Sequence, residues 1–169
     1  GRTCLIQDTK GRICLVQSLW GILPAKYKTK LLFSTLLAAI PNEGAPTINQ
    51  MNEVLAKHGM KLERVTDEYR KKGGMEYFLL QEKECSLIIN IKLANHEGDY
   101  WRHFVGWDGK VIYDSSEDCK VNVKSDRTPE GSKAVFERLF CKEEFLSHSV
   151  TSVFELQPSL CSMGRQDHP

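Results

Sequence analysis

Three residues of this 169-residue chain have the types and spacing for nucleophilic chemistry: Cys14, His103 and Asp114. The last two lie in YWRHFVGWDGKVIYDSS, residues 100 to 116, which reads as a β-hairpin. Asp-Gly between two β-prone runs is a strong signal for a two-residue type I′ turn, whose left-handed dihedrals suit Asp108 and Gly109. With that turn Trp107 pairs with Lys110, Val105 with Ile112 and His103 with Asp114. The pleat of period 2 puts all six on one face, with directly opposite Cβ atoms roughly 4.5–5.5 Å apart. An imidazole so placed can give one ring N–H to the carboxylate and turn its other nitrogen elsewhere. Taken alone, the pair admits three readings. It is a cross-strand ionic pair on a half-exposed sheet, two ligands of a metal site, or the base and orienting group of a nucleophilic catalyst. For a metal, the chain offers no HExxH and no CxxC, and its histidines at 58, 96, 103, 148 and 168 are scattered.

The catalytic reading requires a nucleophile near the start of a helix, and Cys14 qualifies. From Ile13 to Leu23 the chain reads ICLVQSLWGIL, apolar on nearly every side, and Pro24 stops it. A helix apolar all round belongs in the middle of a domain. Gly11 permits a sharp entry, which puts Cys14 in the first turn. There the unpaired N–H groups and the positive end of the helix dipole favour a thiolate, and an imidazolium nearby favours it further. The competing reading is an inert buried thiol, since free cysteine packs as a small hydrophobe.

The two segments together, G-x-x-C-L-x-Q-S-L at Gly11 to Leu19 and H-F-V-G-W-D-G-K-V-I-Y-D at His103 to Asp114, resemble the papain-like cysteine peptidases. Within that superfamily they are most similar to small intracellular members such as Josephin- or OTU-like deubiquitinases and bacteriocin-processing peptidases. The resemblance covers two short segments and their order. The chain lacks the Cys-Trp dipeptide of the papain core group and the Asp-Gly-Asn-Cys of many OTU proteins. What the resemblance implies is an α+β, papain-like fold, with an N-terminal helical lobe whose central helix carries Cys14. That lobe packs against an antiparallel sheet carrying His103 and Asp114. It further implies a thiol hydrolase cleaving a peptide or isopeptide bond, with Cys14 as nucleophile, His103 as general base and acid, and Asp114 as orienting group. Many members place an oxyanion helper several residues before the cysteine. Gln7 and Asp8 both stand there, and Gln7 has the better chemistry, because an amide donates to an oxyanion and an ionised carboxylate does not. No cofactor and no metal are implied. The partner is a protein or peptide substrate, with ubiquitin and ubiquitin-like modifiers among the classes. Two rival functions stay open: Cys-His-Asp acyl transfer, as in transglutaminase-like proteins, and a non-catalytic peptide-binding module on the same scaffold.

Composition bounds these expectations. The length suits one domain, here residues 1–160, with a flexible tail over 161–169. A formal net charge of +1 selects neither nucleic acid nor an anionic membrane. The clusters Lys26/Lys28/Lys30 and Arg70/Lys71/Lys72 are short and read as solvated surface. No apolar run reaches about 18 residues, so no spanning helix is expected. Six cysteines at wide, irregular spacings (4, 14, 85, 119, 141, 161) read as reduced, packed thiols of an intracellular, cytoplasmic protein. The chain begins at Gly1, as a processed product or an excised domain would.

The elements that must hold the three residues follow from periodicity. A second helix is expected over KTKLLFSTLLAAI, and a third opens on the capping box Thr47 to Gln50 and stops at Gly59. From Met60 the period becomes that of strands: MKLERV, MEYFLL and CSLIINIKLA. Asn95 to Asp99 turns into the hairpin, Lys120 to Arg127 reads as a loop, and Thr128-Pro129 opens a helix through AVFERLFCKEEF. A last strand is VTSVFELQ. Trp101 and Trp107 share the His103 face, where core packing is the ordinary role of an indole.

Overall fold

Helices come first in the chain and an antiparallel sheet follows, so the protein is α+β. The computed structural model describes residues 13–42, 46–72, 79–80, 85–115, 120–123, 128–140 and 147–159. Helix α1 (Cys14–Ile22) ends where Pro24 drives Leu23 into extended backbone, with ψ at 141°. A 3-10 turn, Ala25–Tyr27, leads to α2 (Lys30–Ala38), which starts two residues later than expected because Thr29 caps it, accepting from the N–H of Leu32. Helix α3 (Ile48–Ala56) opens on the expected capping box. Thr47 Oγ1 accepts from the Gln50 N–H at 3.2 Å, and Gln50 Oε1 accepts from the Thr47 N–H at 2.8 Å. The turn after α3 closes on Gly59, whose φ of 73° only glycine adopts freely.

Then come β1 (Met60–Arg64), α4 (Thr66–Arg70), β2 (Leu87–Ala94), β3 (Tyr100–Trp107), β4 (Val111–Tyr113), β5 (Lys120–Asn122), α5 (Pro129–Phe140) and β6 (Ser147–Pro158). The sheet runs β1-β6-β2-β3-β4-β5 with every described pairing antiparallel. Strand β2 alternates between two cores. Ile88 faces the layer made by α1, α2 and α3, whereas Leu87, Ile89, Ile91 and Leu93 face α5.

Three expectations need correcting. In MEYFLL, Leu79 and Leu80 form a turn and not a strand; both are fully buried, so these two record core packing and not sheet pairing, and residues 75–78 lie outside the described set. Thr66–Arg70 is a short helix that periodicity missed, because five residues cannot display a 3.6 period. Lys120–Asn122, read as loop, pairs with β4 as an edge strand. The tail at 161–169 and residues 141–146 after α5 lie outside the described residues. Among the described residues no helix is long and apolar enough to cross a membrane.

Candidate active site

His103 and Asp114 meet, but by a register different from the one the Asp-Gly dipeptide suggests. Gly106 pairs with Tyr113 and Trp107 with Ile112, and the Asp108 N–H donates to the Val111 carbonyl at 3.3 Å. The two turn residues are therefore Gly109 and Lys110, with Gly109 at positive φ, 100°. Asp108 prefers to cap that turn from outside. Its Oδ1 accepts from the N–H groups of Lys110 and Val111 at 2.9 and 2.8 Å, the side-chain turn typical of Asp. Its Oδ2 accepts from the Tyr113 hydroxyl at 2.7 Å. The expected pairs Trp107–Lys110, Val105–Ile112 and His103–Asp114 are thus each displaced by two positions. Because two is the period of the pleat, His103 and Asp114 stay on one face as diagonal neighbours. His103 Nε2 lies 2.6 Å from Asp114 Oδ1, and both side chains are buried.

Cys14 joins this pair from helix α1. It is the first residue of the helix, it is 4% exposed, and the N-cap residue Ile13 makes no side-chain capping bond. Its thiol is a hydrogen-bond partner of the His103 imidazole. Asp114 takes Nε2, which leaves Nδ1 as the nitrogen able to serve the sulfur. Pairing between β3 and β4 is confined to Gly106 and Trp107. Beside His103 the β4 side of β3 therefore carries no strand among the described residues, and there a thiol from the α1 layer can meet an imidazole whose neighbours lie in the α5 layer. Burial alone pulls the His103 pKa down, but the bonds to Asp114 and Cys14, with the charges of both, more than reverse this and hold it above its ordinary value.

Helix α1 is seated by contacts that composition does not announce. A Cβ on Gly21 would stand 2.2 Å from Cγ of Tyr113, so the phenol ring lies directly on the helix backbone. A Cβ on Gly106 would stand 2.6 Å from the Ser18 carbonyl oxygen, so helix and strand touch backbone to backbone. The buried Ser18 hydroxyl lies 2.7 Å from the Cys14 carbonyl and 3.0 Å from the Phe104 carbonyl, tying the first turn of α1 to β3. An isolated glycine inside a strand signals close backbone approach, so Gly106 could have been found in the sequence. Ser18 and Gly21 gave no such signal. On the opposite side the Phe140 ring of α5 meets the imidazole edge-on, centroids 6.3 Å apart.

Of the other candidates, Trp107 is fully buried core and Trp101 is 41% exposed. Gln7 and Asp8 lie outside the described residues. No group of three or more metal-ligating side chains occurs among the described residues. A buried imidazole with a carboxylate on one nitrogen and a thiol at hand can exchange a proton with the sulfur while the carboxylate fixes its orientation. In comparisons with known proteins, no family model, no curated protein and no solved structure matches this chain.

Proposed function

We propose that this protein is a papain-like thiol hydrolase that cleaves a peptide or isopeptide bond through Cys14, His103 and Asp114. The observation that carries the reading is one imidazole shared between a buried carboxylate and a helix-start thiol. In the first half-reaction the Cys14 thiolate attacks the scissile carbonyl carbon, and the oxyanion forms near the N–H groups of the α1 N-terminus. His103 then gives its Nδ1 proton to the departing amine, the C–N bond breaks and a thioester remains on Sγ. In the second half-reaction His103, now neutral, takes a proton from water as that water attacks the thioester, releasing an acid and returning the proton to the pair. Asp114 accepts from Nε2–H throughout and keeps Nδ1 aimed at sulfur. A protein or peptide is the proposed substrate, ubiquitin and its relatives included. A thiol nucleophile suits a reducing, cytoplasmic location.

The test needs no known substrate. Iodoacetamide alkylation of each cysteine, followed against pH and located by mass spectrometry, should find Cys14 fastest below pH 7, and His103→Ala should abolish that advantage. Ubiquitin bearing a C-terminal fluorogenic amide should be tried next, with Cys14→Ala expected to release nothing. A slow Cys14 indifferent to His103, or turnover surviving in Cys14→Ala, overturns the proposal.

A further inference from the structure

The face of the sheet that carries α1 continues past the helix, and what it exposes there is cationic. Ser18 rests on the Phe104 carbonyl, while Gly21 and Ile22 rest on Tyr113 and Gly106. The helix therefore points its N-terminus, and Cys14, along β3 toward Arg102 and Tyr100. Arg102 is directly opposite Lys92 of β2, and Lys92 is opposite Ser149 of β6, so one row crosses three strands on this face. Tyr100, two residues before Arg102, shares the face by the pleat and is 62% exposed. Lys92 Nζ stands 4.3 Å from its ring centroid, and Arg102 Nη1 donates to Thr151 Oγ1 at 3.1 Å.

Two like charges directly across a strand pair repel. A sheet usually avoids this or supplies a carboxylate, yet among the described residues neither cation makes an ion pair. The nearby Asp99 precedes β3, in the turn where its N–H donates to Asn95 Oδ1, and it forms no ion pair with either cation among the described residues. Both neighbours that hold the cations, a phenol ring and a threonine hydroxyl, leave their charge unneutralised while fixing its position.

Building on the thiol-hydrolase reading, we infer that Tyr100, Arg102 and Lys92 form a subsite for an acidic segment of the protein substrate, lying beside the scissile bond. The carboxylates of that segment complete the charge pairs that the sheet leaves open. The Tyr100 ring gives the segment an apolar wall. The strand spacing puts Lys92 roughly 5 Å beyond Arg102, so alternate acidic side chains of an extended peptide reach both.

Binding should be read first by fluorescence anisotropy with two labelled hexapeptides, one rich in Glu and one with Gln at the same positions. The Glu peptide should bind on the order of tenfold more tightly, as a few exposed charge pairs allow, and added salt should erase the difference. A Lys92→Gln/Arg102→Gln double variant should lose the preference, and a bromoacetyl form of the Glu peptide should label Cys14 faster than its Gln counterpart. Equal affinities, or a preference that survives in the double variant, overturn the subsite. Failure of the hydrolase reading is a different result, a slow and His103-independent reaction of Cys14 with iodoacetamide, and the anisotropy preference still decides the subsite in that case.

Discussion

At the scale of single residues the chemistry turns on how His103 is held. Its pKa is the outcome of burial pulling down and of Asp114 and Cys14 pulling up, with the upward pull winning. A folded-state value above the ordinary imidazole value of about 6.5 means that the charged form contributes stability fully below that pH. The contribution is then lost as pH rises into the alkaline range through the raised value. Asp114→Asn removes the carboxylate while keeping the shape, so part of the upward pull is lost and the His103 pKa should fall in that variant. Melting temperatures taken across pH should show wild type exceeding Asp114→Asn near neutrality and converging with it at alkaline pH. Under the proposed hydrolysis the rate profile should change in step, because that reaction needs the imidazolium to protonate the leaving amine. The alkaline limb of turnover should move to lower pH in Asp114→Asn. An unmoved limb would return Asp114 to the role of a cross-strand partner. Under the same proposal His103→Ala should cost more activity than Asp114→Ala, since it removes the proposed proton carrier and not merely its anchor.

At the scale of elements the site depends on α1 lying flat on the β3–β4 hairpin, and two glycines make that approach possible. An alanine at either position has an intrinsic advantage of about 0.5–1 kcal/mol in a helix or strand interior. The clash outweighs it here. At Gly106 the obstacle, 2.6 Å away, is backbone carbonyl oxygen, which no side-chain rotation relieves; at Gly21 it is the root of the Tyr113 ring, 2.2 Å away. Overpacking of this kind costs about 1–3 kcal/mol, which for a chain of this size is a loss of roughly 2–12 °C in Tm. Gly106→Ala and Gly21→Ala should both melt lower and, because the helix must lift, both should slow alkylation of Cys14. Wild-type reactivity in both variants would show that the seating of α1 does not set the thiol. These contacts also mark where sequence reasoning stops. The His–Asp pair was legible because a register error of two keeps both residues on one face. An error of one would have separated them. The capping box at Thr47 and the Thr128-Pro129 helix start were legible because they are local. The close packing of Gly21 on Tyr113 joins residues far apart in the chain, and no local pattern encodes it. Leu79 and Leu80 failed for a related reason: burial is visible in composition, but whether a buried run is strand or turn is decided by its neighbours.

At the scale of the molecule the sheet divides two apolar layers and the site straddles them. Cys14 belongs to the helix whose Leu15, Val16 and Leu19 fill one layer, while the His103 ring meets Phe140, which fills the other. Neither layer alone holds both partners. Strand β2 is common to the two, with Ile88 on one side and Ile89 on the other, both fully buried. Losing either layer would strip one face of the strand that the other layer needs, which favours cooperative loss of both. Urea unfolding should therefore give one midpoint by far-UV ellipticity, by tryptophan emission, to which buried Trp107 reports from the α5 side, and by the His103-dependent excess reactivity of Cys14. A site that decouples at distinctly lower urea than the other two probes would mean that α1 leaves the sheet as a separate unit. In that case the thiol and the imidazole are brought together by a local equilibrium and not by the fold as a whole, and substitutions such as Phe140→Ala, expected to cost about 3–5 kcal/mol globally, would leave Cys14 reactivity at low urea untouched.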